Sequence, residues 1–123
     1  MASTVAWFDI PVSDMSRAIE FYQRLTGRKL ERLPVGPSEE TALFEQDGDG
    51  EVSGCLFSSP DDKPSMYGSR IYLSAGPSLD VWLARVEPAG GKILVGKRPI
   101  PGRGVFAYIL DTEGNRVGLH GTA

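Results

Sequence analysis

The stretch WFDIPVSDMSRAIEFY at residues 7–22 changes its hydrophobic period in the middle, and this change decides the fold. Before its proline, β-branched and aromatic residues predict a strand over residues 4–10. After the proline, apolar side chains recur at the i, i+3, i+4 and i+7 spacing of an amphipathic helix. Ser13 or Asp14 can cap this helix, and Gly27 supplies the left-handed residue that commonly ends one. A strand followed at once by a helix that packs on a sheet is therefore expected.

Three strand-like segments follow the helix, at residues 29–33, 40–46 and 52–57. The Asp-Gly-Asp-Gly sequence at residues 47–50 predicts a hairpin turn between the last two, because Asp-Gly readily adopts the positive φ that such turns require. A calcium-binding loop is the alternative interpretation of these aspartates. It is disfavoured because the later ligands and the closing glutamate of an EF-hand are missing.

The second half of the chain repeats this order. Residues 70–75 predict a strand, Ser78 can cap the helix that follows, and Gly90 lies beyond the helix end. Between these two positions, apolar residues recur at helical spacing: Leu79, Trp82, Leu83 and Val86. Three more strands are predicted, with a turn at 111–115 between the last two: residues 92–95, 104–110 and 116–120.

The period of this repeat is half of the chain. Gly54 in the first half, for example, matches Gly118 in the second. We therefore expect two βαβββ units, residues 1–58 and 68–123, joined by the Gly-, Ser-, Pro- and Asp-rich linker 58–68. Neither unit could bury its sheet face alone, so both are expected to belong to one domain that spans the whole chain.

Composition restricts the class of protein. The 123 residues carry 13 Lys and Arg against 16 Asp and Glu, a net charge of −3 that disfavours nucleic acid, since phosphate binding needs a basic face. No apolar run approaches the roughly 18 residues of a membrane span, so no membrane partner is expected. The chain has one cysteine and begins without a signal-like segment, which favours a cytoplasmic protein.

The repeat and two motifs resemble the vicinal oxygen chelate superfamily, which groups glyoxalase I, bleomycin resistance proteins and extradiol dioxygenases. The motifs are residues 7–22 and the closing hairpin FAYILDTEGNRVGLH at residues 106–120, and they look like a glyoxalase-related bacterial subgroup. The resemblance covers nearly the whole chain and implies an α+β fold, in which two βαβββ units form an incomplete mixed β-barrel around a ligand cavity. It also implies a homodimer, formed side by side or by exchange of units.

The resemblance further implies four metal-ligand positions, one on the first and one on the last strand of each unit, where metal-dependent members carry His, Glu or Gln. Counting from the motifs places these positions at Trp7, Gly54, Arg70 and Gly118. None of the four can ligate a metal, a shift by one residue restores no site, and the chain has one histidine. We therefore expect no metal and no other cofactor, and no glyoxalase I or extradiol chemistry by the usual metal route. A substitute site that uses Asp9 and His120 is the weaker alternative.

Alternation along the strands predicts a lining for the cavity. Residues two apart point to the same face, and this rule selects four pairs: Trp7 with Asp9, Arg70 with Tyr72, Phe106 with Tyr108, and Gly118 with His120. Such an aromatic pocket suits a small, partly polar organic molecule, with Gly54 and Gly118 leaving room where metal ligands would stand. The alternative is a filled core, in which Trp7 and Tyr72 pack and the charged side chains pair across the sheet.

Three further features are candidates for function. His120 can exchange a proton near neutral pH, although a position so near the C-terminus is often exposed and frayed. Cys55 could act as a nucleophile, but a lone cysteine on an apolar strand is usually a small core residue. The basic segment 96–103, which contains two prolines, is either a lid for an anionic ligand or a solvated connection between strands.

Three functions are compatible with these patterns. The first is binding of a small organic molecule in the cavity without a metal. The second is a lyase, isomerase or dioxygenase reaction at an atypical site around Asp9, Arg70 and His120. The third is a module that acts with another domain or protein of its pathway.

Overall fold

The computed structural model describes residues 4–46 and 53–123, and both halves follow the order strand, helix, strand, strand, strand. The elements of the first half are β1 (Trp7–Pro11), α1 (Met15–Thr26), β2 (Leu30–Pro34), β3 (Glu40–Phe44) and β4 (Ser53–Ser58). Those of the second half are β5 (Tyr72–Gly76), α2 (Leu79–Val86), β6 (Lys92–Pro99), β7 (Val105–Leu110) and β8 (Arg116–Gly121). The turn predicted at residues 47–50 lies outside the described residues. Across the described ranges, neither helix is long and apolar enough to span a membrane.

The strands form two four-stranded sheets with the same internal order, β1-β4-β3-β2 and β5-β8-β7-β6. In each sheet, the first strand of the unit pairs in parallel with the last, and the other pairs are antiparallel. The two sheets do not close into one barrel. This architecture confirms the expected α+β fold, with two βαβββ units and an incomplete mixed β-barrel.

Both helices begin after the predicted N-cap residue, but only α1 has a side-chain capping hydrogen bond. In α1, the Asp14 carboxylate accepts a hydrogen bond of 3.0 Å from the Arg17 amide, and Gly27 adopts a φ of 73° at the C-terminus. These contacts confirm the predicted Asp14 cap and glycine end. In α2, Ser78 lies at the predicted N-cap position, but its side chain makes no capping hydrogen bond.

The first half of the segment expected as a basic loop at residues 96–103 is a strand. Strand β6 continues to Pro99, because its later residues pair with β7: Arg98 lies opposite Phe106 and Pro99 opposite Val105. The Lys97 ammonium also forms an ion pair of 3.2 Å with Asp80 on α2. Pairing on one side and this ion pair on the other hold the first half of the segment, so the loop prediction is wrong for residues 96–99.

Helix α1 packs on the first sheet through one buried face, formed by Met15, Ala18, Phe21, Tyr22 and Leu25. The Tyr22 ring contacts the Phe44 ring edge-on at a centroid distance of 6.0 Å. The Tyr22 hydroxyl donates a hydrogen bond of 2.6 Å to the Asp111 carboxylate, which belongs to the second unit. Asp111 also accepts from the Asn115 side chain, which in turn donates to the Pro11 carbonyl at 2.7 Å. The turn predicted at 111–115 therefore joins the two units.

Glu113 in the same turn closes the N-terminus of α1. Its carboxylate accepts hydrogen bonds from the backbone amides of Ser13 and Asp14, at 2.8 and 2.7 Å, and from the Arg17 guanidinium at 2.7 Å. Burial raises the pKa of the carboxyl, but the bonds from Arg17 and the two amides outweigh burial, and the net pKa lies below its usual value. Because the amides at a helix start lack partners within the helix, this carboxylate supplies what the first turn of α1 needs.

We predict that Glu113→Gln lowers the free energy of unfolding at neutral pH by about 1.5–3 kcal/mol, the usual worth of hydrogen bonds to a charged group. The folded-state pKa of Glu113 lies below the unfolded one, so the carboxylate stabilises the fold above the unfolded pKa and loses this contribution as the pH falls through the folded pKa. Urea unfolding at neutral pH and at about pH 3 measures both effects. The penalty should shrink in acid, and exposed Glu20→Gln should cost little at either pH. An equal penalty for Glu113→Gln at both pH values would contradict this account.

Candidate functional site

The two faces of each sheet have different neighbours, because paired residues on adjacent strands share a face and faces alternate along a strand. In the first sheet, Phe8, Phe44 and Leu56 lie on the face that packs against α1. In the second sheet, buried residues on β5, β7 and β8 lie on the α2 face: Leu73, Ala75, Ala107, Ile109, Val117 and Leu119. The opposite face of each sheet, here called its open face, carries the residues predicted to line a ligand site.

The open face of the first sheet carries a cluster of three side chains at the junction of β1 and β4. The Trp7 indole donates a hydrogen bond of 3.1 Å to the Asp9 carboxylate, and the Cys55 thiol donates to the same oxygen at 3.1 Å. Burial and the adjacent Asp9 carboxylate raise the pKa of the Cys55 thiol. A thiol that is protonated and buried is a poor nucleophile, so the structure gives Cys55 no catalytic geometry. The Trp7 side chain, by contrast, remains half-exposed.

The open face of the second sheet carries a larger aromatic cluster. The hydroxyls of Tyr72 and Tyr108 lie 2.9 Å apart, and the Phe106 ring packs against Tyr108 at a centroid distance of 5.1 Å. The Arg70 guanidinium lies over the Tyr108 ring, 4.2 Å from its centroid. The Arg116 guanidinium lies 5.8 Å from the same centroid. Sequence reasoning did not select Arg116, although its position two residues before Gly118 places it on the same face.

His120 also lies on the open face of the second sheet. Its strand position is opposite Phe106 on β7 and Ser74 on β5, so it is a paired residue rather than a frayed one. Its Nε2 atom lies 2.7 Å from the Arg103 carbonyl oxygen. Since a carbonyl can only accept, Nε2 carries the proton in this contact. His120 therefore lies at the edge of the aromatic cluster with one ring nitrogen already engaged.

The predicted site residues thus fall into two groups rather than one. Asp9 and Trp7 lie on the first sheet, whereas the others lie on or beside the second: Arg70, Tyr72, Phe106, Tyr108 and His120. Within the part of the chain that the structure describes, no hydrogen bond or ring contact joins the two groups. Asp9 therefore makes no described contact with Arg70 or His120, the residues with which the sequence grouped it.

The two glycines expected to leave room in the site do not do so. Gly54 pairs with Phe8 and lies on the α1 face, one residue out of step with Trp7, which pairs with Ser53. A Cβ at Gly54 would overlap the Phe8 ring, and one at Gly118 would overlap the Tyr72 ring. Each glycine is required because an aromatic ring lies flat on its backbone. The predicted room at Gly54 and Gly118 is therefore wrong, since the rings occupy it.

The pairing register also revises the four metal-ligand positions that the resemblance implied. Opposite residues on the open faces of the parallel pairs are Trp7 with Ser53 and Tyr72 with Gly118, so Gly54 and Arg70 are replaced by Ser53 and Tyr72. An indole, two hydroxyls and a glycine do not supply the imidazole and carboxylate ligands that a divalent metal needs. Nor does the described part of the chain bring three or more His, Cys, Asp or Glu side chains together. The donor set therefore does not fit a metal.

A cavity of about 830 Å³ lies between the two units. Its lining is mainly apolar and comes from the ends of β1, β3 and β5 and from α2, with these large side chains: Phe8, Phe44, Leu73 and Trp82. Arg70 and Tyr72 border this cavity as well as the open face of the second sheet. The other five predicted residues do not line it: Trp7, Asp9, Phe106, Tyr108 and His120. The cavity and the aromatic cluster are thus neighbours that share Arg70 and Tyr72.

A family model described as the Glyoxalase/Bleomycin resistance protein/Dioxygenase superfamily matches residues 4–119. The chain belongs to this superfamily. Among solved structures, the chain is 28% identical to TnmS3, an antibiotic binding protein from Streptomyces sp. CB03234, with a TM-score of 0.69. That match covers 98% of this chain and 97% of TnmS3.

Two longer proteins match this chain over part of their own length. Glyoxalase I from Zea mays shares the fold, with 24% identity, a TM-score of 0.72, and coverage of 95% of this chain and 45% of the maize chain. CFP32 of Mycobacterium tuberculosis, whose name describes it as a glyoxylase, is 23% identical over 111 residues. The chain covers 41% of CFP32, so it spans about two fifths of the curated relative that it matches.

We predict that Gly118→Ala displaces the Tyr72 ring, because a Cβ at this position would overlap the ring carbons. The Tyr108 hydroxyl, which shares a hydrogen bond with Tyr72, and the nearby positive charge of Arg70 hold the pKa of Tyr72 below its ordinary value. The displaced phenol would lose both effects. Absorbance titration of the tyrosines should therefore show the first phenol to ionise moving to higher pH. Gly96→Ala is the matched control, because a Cβ there meets no described atom within 4 Å. A titration curve unchanged by Gly118→Ala would contradict the prediction.

Proposed function

We propose that this superfamily member binds a small, flat organic molecule, without a metal, on the open face of its second sheet. The observation that carries the proposal is the aromatic cluster, in which Tyr72 and Tyr108 share a hydrogen bond and Phe106 packs beside them. Tyr72 nevertheless leaves 44% of its surface exposed, which a tyrosine in a filled core would not. Rings that are held in place but not covered favour a ligand that stacks on them.

Polar groups and free space around the rings support the same proposal. The Tyr72 and Tyr108 hydroxyls can orient a bound molecule, and Arg70 and Tyr72 connect the open face with the cavity between the units. A molecule on the rings could therefore extend into that cavity. The likeness to TnmS3, an antibiotic binding protein matched over nearly its whole length, supports binding rather than catalysis.

A thermal-shift screen of aromatic compounds tests the proposed function. A compound at 100 times its Kd should stabilise the protein by about 2.7 kcal/mol, and prior treatment with EDTA should not change the shift. Tyr108→Leu should abolish the stabilisation, because it removes the ring at the centre of the cluster. Tyr67→Leu is the matched control, since Tyr67 is 88% exposed and lies outside the cluster. A screen without stabilising compounds, or hits that Tyr108→Leu leaves unchanged, would count against the function.

We further propose that the protein forms a homodimer in which a second copy covers the open face of the first sheet. Trp7 and Leu33 on the open face of the first sheet are exposed apolar side chains. Exposed apolar groups that share a face are typical of a surface buried by a partner. Side-by-side pairing and exchange of units are both compatible with this arrangement.

Sedimentation at micromolar concentration should give twice the chain mass of 13.3 kDa. Trp7→Asp should shift the equilibrium toward monomer, because it places a charge on the apolar open face. Val81→Asp is the matched control, since Val81 is equally exposed but lies on α2. A monomeric wild-type protein would rule out the homodimer.

We also propose a cytoplasmic location. Cys55 is a buried free thiol with a raised pKa and no second cysteine to pair with. A thiol of this kind is compatible with a reducing compartment, where structural disulfides are rare.

A further inference from the structure

We infer that the molecule bound on the aromatic cluster is an organic anion, and that Arg70 and Arg116 bind its negatively charged group. This inference rests on the proposed function, because it specifies the chemical class of the ligand for the same face. It requires two cations beside the rings that form no ion pair with another described residue. It also requires, for each cation, an observation that points to a ligand. The contacts around the cluster meet both requirements.

Arg70 is an exposed cation held in place by aromatic groups alone. Its guanidinium lies over the Tyr108 ring at 4.2 Å and interacts with the hydroxyl of Tyr72. The ion pairs of the described residues are Arg17 with Glu113, Arg32 with Glu40 and Lys97 with Asp80, so Arg70 takes part in none of them. A guanidinium fixed over a ring keeps free N–H donors at its edge, where a planar anion can meet them.

Arg116 supplies a second cation and an unsatisfied donor. Its guanidinium lies 5.8 Å from the Tyr108 centroid, at the start of β8 and on the same face. The Nε atom of Arg116 is buried and, within the described part of the chain, has no hydrogen-bond partner. Buried donors are normally paired, so an unpaired one beside an open ligand face indicates a partner that binds from outside.

Acidic residues on neighbouring parts of the fold have other hydrogen-bond partners. Glu45, which lines the cavity together with Arg70, accepts from the Lys29 amide. Asp9 accepts from Trp7 and Cys55 on the first sheet. Asp111, in the turn that precedes Arg116, accepts from Tyr22 and from the Asn115 side chain. These bonds hold the carboxylates away from the aromatic cluster. The local positive charge is therefore left for a ligand.

The arrangement matches one chemical class. Guanidinium groups bind carboxylates, sulfonates and phosphonates through parallel hydrogen bonds, and such charge-assisted bonds are roughly twice as strong as neutral ones. The rings of Phe106, Tyr72 and Tyr108 form the adjoining surface for an aromatic or unsaturated body. A small aromatic acid satisfies both halves of the site, whereas a neutral analogue leaves the two cations without a partner.

A matched pair of probes tests this inference: 2-naphthoate, and 2-naphthamide as its neutral analogue of the same shape. Amide NMR titration of the full chain should map both probes to β5, β7 and β8, with 2-naphthoate bound about tenfold more tightly. Arg70→Gln and Arg116→Gln should each remove most of this advantage and leave 2-naphthamide affinity unchanged. Arg24→Gln, on the exposed side of α1, is the control that changes net charge alone. Thermal unfolding checks that each variant is folded, and Arg70, being exposed, keeps the test valid if Arg116→Gln fails to fold.

The outcomes separate the inference from the proposed function. If both probes bind the mapped face with equal affinity, or the arginine variants leave 2-naphthoate affinity unchanged, the anion inference is wrong and the function stands. If neither probe shifts the signals of β5, β7 and β8, the proposed aromatic site is wrong and the inference fails with it. If Arg24→Gln removes the preference for 2-naphthoate as effectively as Arg70→Gln and Arg116→Gln do, the preference depends on net charge alone. That result would contradict the binding roles assigned to Arg70 and Arg116.

Discussion

The contact between the turn at 111–115 and the first turns of α1 is the constraint on which the rest of the structure depends. Tyr22 reaches Asp111 from the buried side of the helix, and Glu113 supplies the acceptor for the amides at the helix start. Helix α1 packs on the first sheet, whereas the turn belongs to the second. These few charged and buried hydrogen bonds therefore place one sheet relative to the other, and the cavity between the units follows from that placement.

In each sheet, side chains that pack against a helix and side chains on the open face alternate along the strands. The α2 face of the second sheet is filled by aliphatic residues such as Ile109 and Leu119, while the open face carries rings and cations. The close approach of Tyr72 to Gly118 keeps this open face flat, since any side chain at Gly118 would lift the ring away. At the positions where the resemblance implied metal ligands, the register presents aromatic rings, a serine and a glycine.

Much of the candidate site could be predicted from spacing, and the failures have a common cause. The pairs Trp7 with Asp9 and Phe106 with Tyr108 each share a face, as two-residue alternation requires. Alternation applies within a strand, however, and says nothing about how one strand is aligned with the next. The parallel register that sets Gly54 opposite Phe8, rather than beside Trp7, depends on packing against α1 and could not be read from a glycine repeat. Arg116 was within reach of the same alternation rule, counted back from Gly118.

The sequence by itself determined the two βαβββ units and the cap and end of α1, because these depend on local period, turn chemistry and residue identity. Only the tertiary structure decided which residues meet. It placed Asp9 and His120 on different sheets, closed the helix with Glu113, and gathered Arg70 and Arg116 around Tyr108. Contacts of this kind join distant segments through the geometry of the packed core, and no pattern along the chain records that geometry.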